Sequence, residues 1–207
     1  FPFPFPLKSD QLISTNHFFI RARMEWKMFL SRMRILLSRP CFSASQPHYG
    51  VSLLQLSGKD RAFLFRVKLM GGIPKSLRKI LASNQIIKVG AAVTDDVRGL
   101  KKHHDFEPKA FVDLQKMVWE YGIKDKSVKK MAAIILGVRI SKTQQLSNWE
   151  AETLSESQQA YAATDAWICR EMYYKLLASE KNPLTPEQML PNQPKHTEND
   201  KDNIKER

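Results

Sequence analysis

Tyr161 and Asp165 are the first residues in this sequence whose types and spacing suggest chemistry. They occur in YAATDAW, four residues apart, within a stretch that reads as helix. Residues at positions i and i+4 of a helix share one face, about one turn apart. A carboxylate placed there can bind a hard divalent cation, and a neighbouring phenol can hold a water molecule beside it. Taken alone, such a pair is more often a packed tyrosine next to a solvated aspartate, so the rest of the chain must decide.

A second pair of acids, Asp95 and Asp96, follows the apolar segment KVGAAV. That segment predicts a strand over residues 85–93, and Thr94 is a good N-cap for a helix over 94–103. Acids in a first helical turn compensate the partial positive charge of the helix N-terminus. The carboxyl end of a strand in an α/β sheet is also where functional sites gather. Both interpretations stay open at this point.

Apolar patterns and turn signals predict the elements that must position these acids. VSLLQLS (51–57) and AFLFRV (62–67) predict a strand hairpin. Alternating strands and helices predict an α/β domain with a mixed sheet flanked by helices. The remaining signals predict a helix through KSLRKILAS after Pro74, a strand at 111–115, helices at KMVWEYG and at 127–137, and a last helix that begins at a capping box of Ser155 and Gln158.

Three regions of the chain differ in composition. Residues 1–38 open with FPFPFP, which predicts an extended arm, and show no sustained apolar period, so this segment is predicted to be irregular. Residues 39–178 carry the α/β pattern. Residues 179–207 combine several prolines with mixed charge and few apolar side chains, which predicts a disordered polar tail.

Charge and cysteine content bound the possible partners and compartment. The net charge is +12, and residues 41–179 alone carry 21 basic and 13 acidic side chains. This excess favours a polyanionic partner such as nucleic acid, although it also fits a basic protein without one. Two cysteines provide no disulfide framework, which predicts a cytoplasmic location. No apolar run approaches the roughly 20 residues of a membrane span, so no membrane partner is expected.

The blocks VSLLQLS, KVGAAVTDD, FVDLQ and SNWEAETLSESQQAYAATDAW, in this order, resemble the DEDDy class of 3′–5′ exonucleases. These are the ribonuclease D-like and Werner-type domains, and the likeness is closest to compact bacterial single-domain members. It covers about residues 40–178. The resemblance implies a ribonuclease H-like fold with a mixed five-stranded sheet. It also implies phosphodiester hydrolysis at the 3′ ends of DNA or RNA strands.

The same resemblance implies roles for single residues. Asp96, rather than Asp95, ends the second family motif, and Tyr161 with Asp165 forms the third. In the family, four acids hold two Mg²⁺ or Mn²⁺ ions around the scissile phosphate, and the tyrosine orients or helps to deprotonate the attacking water. Two cations can stabilise both oxygens of an in-line displacement. Lys142 lies in a family-like block and can contact phosphate, although a solvated lysine is the simpler explanation.

The first family motif, Asp-x-Glu on the first strand, is absent from this chain. Arg39 and Pro40 match the end of that block, which places Ile35 and Leu37 where the two acids would stand. The only acids before residue 60 are Asp10 and Glu25, and neither lies at the required distance. Hard cations need oxygen ligands, so both metal binding and hydrolysis are expected to be impaired.

Two histories explain the missing motif. In one, the protein is a pseudo-enzyme that keeps a nucleic-acid groove. In the other, which we favour, residues 7–38 are translated out of frame, because the likeness begins abruptly at Arg39. The codons of Arg-Ile-Leu, written xxG-ATA-CTG, read one base earlier as GAT-ACT-G, which begins Asp-Thr. The DNA decides: the hypothesis fails if no other frame encodes Asp-x-Glu before Arg39. A basic interaction protein with no nucleic-acid role is the remaining alternative.

Overall fold

The computed structural model describes residues 32–37, 51–59, 61–141 and 143–189, the first range as backbone. Within these ranges a central sheet is covered by helices on both faces. None of the helices in this part of the chain has both the length and the apolar character that a bilayer crossing requires.

Five strands form a single sheet in the order β3-β2-β1-β4-β5. β1 pairs antiparallel with β2 and parallel with β4, so it lies at the centre. β2 and β3 form the antiparallel hairpin that the sequence predicts, and β4 and β5 are parallel. The predicted mixed five-stranded sheet is therefore confirmed. The strands are β1 (Arg32–Leu37), β2 (Leu54–Ser57), β3 (Ala62–Phe65), β4 (Ile87–Gly90) and β5 (Phe111–Asp113).

The helices follow the strands in the α/β order that the sequence indicates. The longest is α5, which carries YAATDAW, and a short 3₁₀ segment (Val118–Tyr121) follows α3. The helices are α1 (Lys75–Leu81), α2 (Val93–Lys101), α3 (Leu114–Met117), α4 (Val128–Leu136), α5 (Glu156–Leu177) and α6 (Pro186–Met189).

One face of the sheet packs against α1. Leu54 and Leu56 of β2 are fully buried and join Leu77 and Leu81 of α1 in one apolar cluster, which also contains Leu100 of α2. Alternation along β2 places these two leucines on the same side of the sheet. The cluster contains only apolar side chains, and it anchors the hairpin and both helices on this face.

The opposite face packs against α5. Val89 of β4 joins Ile168, Cys169 and Met172 of α5 in a second cluster, which extends to Met131 of α4. At the other end of the sheet, Leu53 and Ala162 pack together in a third cluster.

Helix α5 therefore crosses the sheet over its central strand. Ala162 packs beside β2, and Ile168 packs on β4, while β1 lies between those two strands. The stretch between them, which contains Asp165, must pass over β1, and α5 does contact β1. The fold thus brings the third family motif to the strand where the first motif is expected.

Lys88 of β4 is a fully buried lysine on the α1 side of the sheet. Its Nζ donates a hydrogen bond to the backbone oxygen of Ser83 at 2.5 Å and lies 5.1 Å from the centre of the Phe111 ring. Burial lowers the pKa of the Lys88 ammonium to about 8.

Three sequence predictions need correction. β1 lies inside the segment 1–38 that was predicted to be irregular, while residues 1–31 lie outside the described part. Thr94 is not the N-cap of α2, because the helix begins at Val93 after Ala92, which adopts a left-handed φ of 58°. The predicted disordered tail is wrong for residues 181–189, since Asn182 N donates to Glu120 O at 2.9 Å and Leu184 N donates to Trp119 O at 2.9 Å. Residues 190–207 lie outside the described part.

Candidate active site

A capping box fixes the start of α5, as predicted. The Ser155 hydroxyl accepts a hydrogen bond from the Gln158 amide at 3.3 Å, and the Gln158 side chain accepts one from the Ser155 amide at 3.0 Å. The side-chain Nε2 of Gln158 also donates to Ser147 Oγ at 3.1 Å and to Asn148 O at 3.0 Å. One buried glutamine thus ties the helix start to the loop before it.

Tyr161 lies in the first turns of α5 against the same loop. Its ring centre is 6.1 Å from that of Trp149, with the planes tilted by 38°, and both side chains pack on Leu53. Trp149 is 1% exposed, so the Tyr161 ring packs against a fully buried side chain. Aromatic pairs at this separation attract each other beyond the burial of their area.

The loop that carries Trp149 is clamped to the β2–β3 hairpin. Ser52 Oγ donates to Glu150 Oε1 at 2.8 Å, and Lys68 Nζ donates to Glu150 Oε2 at 2.7 Å. Arg66 donates to the backbone oxygens of Ala151 and Glu152. Sequence reasoning missed this clamp because its partners are more than 80 residues apart, and no local pattern links them.

Asp165 lies one turn beyond Tyr161 and shares a side-chain hydrogen bond with it. Burial raises the pKa of the Asp165 carboxyl to about 7, and the bond from the phenol opposes this rise. Burial and the neighbouring Asp165 also raise the pKa of Tyr161, so the phenol stays protonated and donates. Tyr161 and Asp165 are therefore hydrogen-bonded to each other, as donor and acceptor. The Asp165 carboxyl is only partly ionised at neutral pH.

Asp96 lies in the first turn of α2, just beyond the end of β4. Asp95 is 74% exposed and pairs with Arg98 at 2.9 Å, whereas Asp96 is partly buried and its Oδ2 is fully covered. Asp113 holds the start of this helix, because its Oδ1 accepts the Ala92 amide at 3.1 Å. This contrast fits the choice of Asp96 over Asp95. That Asp96 and Asp165 face each other across one cleft stays a prediction.

The register of β1 determines which of its positions lie on the α5 side of the sheet. Positions on the same side of the sheet are called a row below. Leu36 is opposite Gln55, and Arg34 is opposite both Ser57 on β2 and Val89 on β4. Directly paired residues of neighbouring strands belong to the same side of a sheet. Val89 belongs to the cluster that packs on α5. Positions 34 and 36 therefore lie in the row under α5.

Positions 35 and 37 lie in the other row. Ile35 is opposite Leu56, and Leu37 is opposite Leu54, both of which belong to the cluster on the α1 side. By this register positions 34 and 36 share the α5 side of the sheet, and the expectation that acids at Ile35 and Leu37 would stand beside Asp165 stays a prediction. No position of β1, RMRILL, carries a side chain with an oxygen ligand for a cation.

The remaining predicted ligands do not form a metal cluster within the described residues. No group of three or more histidine, cysteine, aspartate or glutamate side chains comes together in this part of the chain. Lys142, the candidate phosphate contact, lies outside the described residues.

The family follows from comparison with known proteins. A family model described as 3′–5′ exonuclease matches residues 44–179. The chain belongs to the 3′–5′ exonuclease family. Exonuclease 3′-5′ domain-containing protein 2 of Drosophila melanogaster is 36% identical over 129 residues, which cover 61% of this chain and 22% of that protein. Ribonuclease D of Gluconacetobacter diazotrophicus is 30% identical over 126 residues, which cover 60% of this chain and 32% of that protein.

This exonuclease-family chain thus matches less than a third of the length of those relatives.

Solved structures confirm the ribonuclease H-like fold. The apo form of a nuclease superposes with a TM-score of 0.66 at 23% identity, covering 74% of this chain and 75% of that one. Brucella melitensis NrnC with bound Mg²⁺ superposes with a TM-score of 0.62 at 20% identity, covering 72% and 73%.

Proposed function

We propose that this exonuclease-family domain binds the 3′ end of a nucleic-acid strand and is deficient in hydrolysing it. One observation carries the proposal. The central strand β1 reads RMRILL and passes under the helix that carries Asp165, so it offers no carboxylate to the site.

The residues present do not fit the two Mg²⁺ or Mn²⁺ ions that the family resemblance implies. Hard cations need several oxygen ligands, and bridging two of them needs more than two carboxyls. Asp96 and Asp165 are the only acids of the family set that this chain keeps, and the described residues hold no cluster of three ligands. Burial also raises the pKa of Asp165, which further disfavours the ionised form that a metal requires. We therefore derive no hydrolytic step through metal.

Binding of a nucleic-acid strand is supported by the net charge and by similar structures. The net charge of +12 attracts a polyanion. Among structures with the same fold, Brucella melitensis NrnC is solved with pGG, and the Trypanosoma brucei RNase D is solved with RNA U12. The Tyr161–Asp165 pair is held in place by protein contacts, through Trp149 and the capping box.

The test uses a single strand with a fluorescent 5′ label. We expect saturable binding with chelator present, weaker binding when the 3′ end carries a phosphate, and no shortening with Mg²⁺ or Mn²⁺. Shortening that chelator stops and Asp165→Asn abolishes would show a working metal site and contradict the proposal. Absence of binding at low salt would favour the basic interaction protein.

A cytoplasmic location belongs to the same proposal. The sequence has two cysteines, too few for a disulfide framework, which supports a reducing compartment. Fractionation of cells that produce the tagged protein tests this, and recovery from an oxidising compartment would contradict it.

A further inference from the structure

A chain of hydrogen bonds runs along the edge of the sheet where the candidate site lies. β1, β4 and β5 are parallel, so their carboxyl ends share this edge. The Asp113 carboxylate, at the end of β5, accepts from the amide of Ala92, which precedes the Asp96 helix, and from the amide of Gln115 at 2.9 Å. The Gln115 side chain donates to Lys126 O at 3.0 Å. The loop before α4 is therefore tied to the same edge as Asp96.

The segment that continues this edge is strongly basic. Both acids of residues 115–130 already have a cationic partner: Glu120 is paired with Lys181 at 2.6 Å, and Asp125 is paired with Lys130 at 2.7 Å. No acid then occurs before Glu150. The lysines of the segment are Lys116, Lys124, Lys126, Lys129 and Lys130.

All five of these lysines are exposed, and three of them form no ion pair within the described part of the chain: Lys116, Lys126 and Lys129. Lys126 is also pre-ordered, because its Nζ lies 4.3 Å from the centre of the Trp119 ring. A cation over an indole face is attracted by the ring and loses some of its conformational freedom. The protein thus holds one ammonium in place, and Lys116 and Lys129 of the same segment form no ion pair within the described residues.

Other basic side chains near the sheet are placed differently. Arg66 and Lys68 are engaged by backbone oxygens and by Glu150, and Lys88 is buried. Lys75 and Lys79 are exposed, but they belong to α1 on the far face of the sheet. The exposed lysines of residues 115–130 instead follow β5, the strand whose Asp113 accepts the amide of Ala92 at the start of the Asp96 helix.

We propose that Lys116, Lys126 and Lys129 form a phosphate track that holds the backbone of a single nucleic-acid strand upstream of its 3′ end. The inference rests on the proposed function, since it assumes that the 3′ end occupies the Asp96–Asp165 site. A short strand fills the site alone, whereas a longer strand reaches the track. The track adds affinity by neutralising phosphates and releasing their counterions, without reading base sequence.

The experiment compares strands of about 4 and about 16 nucleotides, labelled at the 5′ end, in chelator over a range of salt concentrations. The track variant is Lys116→Gln, Lys126→Gln and Lys129→Gln combined. For the long strand, the slope of log affinity against log salt should become shallower by about 2, since each lost phosphate contact removes about 0.7. Affinity for the short strand should stay within about twofold of the wild-type value, since the short strand does not reach these lysines.

A matched control removes three other lysines, with Lys75→Gln, Lys79→Gln and Lys109→Gln. This variant has the same net charge as the track variant, but its substitutions lie on α1 and before the start of β5. Its long-strand slope should stay close to that of the wild type. Thermal melting of all three proteins shows whether each variant is folded.

The outcomes separate the track from the site. An unchanged long-strand slope in the track variant, or an equal fall in the control, overturns the track. Wild-type protein that binds the long strand only, with binding lost in the track variant, supports the track and overturns the site. Wild-type protein that binds neither strand overturns both.

Discussion

The two faces of the central sheet are built from different chemistry. On the α1 side, Leu54 and Leu56 pack into a cluster of apolar side chains. On the α5 side, the same strand presents Gln55 and Ser57, both buried, opposite the β1 row that lies under Asp165. Alternation along one strand thus separates a stabilising face from a polar one.

Both faces carry costs of burying polar groups, at Lys88 on the α1 side and at Gln55 and Asp165 on the α5 side. Gln55 Oε1 is buried and has no hydrogen-bond partner among the described residues. Asp165 is mostly buried, and burial raises the pKa of its carboxyl to about 7. Unsatisfied polar groups and displaced pKa values are destabilising, and they gather where a fold serves function as well as packing. The difference between the faces indicates which substitutions should unfold the protein and which should change its chemistry.

Substituting acidic residues into β1 is the strongest test of this comparison between the two faces. Arg34→Asp with Leu36→Glu adds two carboxyls to the row under α5 and should switch on shortening of strands from the 3′ end with Mg²⁺ or Mn²⁺. The reason is that four acids would then be available to two cations. Product length against time on a 5′-labelled strand measures the gain, and chelator should abolish it.

The matched pair Ile35→Asp with Leu37→Glu puts the same two acids opposite Leu56 and Leu54. Carboxylates on that side should destabilise the fold and give no activity, because they meet an apolar cluster. Activity from this pair, with none from the first, would reverse the assignment of the rows.

Truncation within the sheet compares the faces by stability. Leu56→Ala removes a fully buried side chain from the apolar cluster and should lower the free energy of unfolding by about 2–5 kcal/mol. Gln55→Leu removes a buried amide whose Oε1 lacks a partner in the described part, and it should change stability by less than about 1 kcal/mol. Urea unfolding measures both. An equally large loss in Gln55→Leu would show that the amide holds the polar face together.

The pH dependence of stability isolates Lys88 on the α1 side. Between pH 8 and pH 10.5 the unfolded chain keeps the lysine proton that the folded chain has released. The free energy of unfolding of the wild type should therefore rise with pH across this window, by up to about 3 kcal/mol relative to Lys88→Met. Parallel curves for the two proteins would mean that the buried ammonium ionises normally.

Asp165 should give a pH dependence of opposite sign on the α5 side. Between pH 3.8 and about 7 the folded chain keeps a carboxyl proton that the unfolded chain has lost. Wild-type stability should therefore fall as pH rises through this window, and Asp165→Asn should gain up to about 4 kcal/mol relative to it. Tyr161→Phe removes the hydrogen bond that lowers the Asp165 pKa, so the window should extend to higher pH. An Asn variant that gains nothing would place Asp165 in solvent.

The features that could be predicted from the sequence are those whose partners lie close together along the chain. The β2–β3 hairpin and the capping box of Ser155 and Gln158 were foreseen because their partners lie within a few residues. The Tyr161–Asp165 pair was foreseen from helical spacing, and the family from ordered blocks. These features depend on periodicity and capping, which a single segment carries by itself.

The features that escaped prediction depend on distant partners. Ala92 adopts its left-handed conformation where a carboxylate 21 residues away accepts its amide, so Thr94 looked like the better helix start. β1 shows no alternation because it is the central strand, paired on both sides. Its register, and hence the rows of Ile35 and Leu37, follows from pairing with β2 and β4 and cannot be read from RMRILL alone.

The contacts of Asn182 and Leu184 determine where this domain can safely be shortened. The family match ends at residue 179, which invites a cut there. Such a cut would leave the backbone oxygens of Trp119 and Glu120 without their amide donors, and would remove the lysine that neutralises Glu120. It would also uncover Gly122, against which the backbone of Asn182 packs so closely that an added Cβ would lie 3.1 Å from its oxygen. For fragment design, the natural boundary is therefore beyond Leu184, about five residues later than the family match suggests.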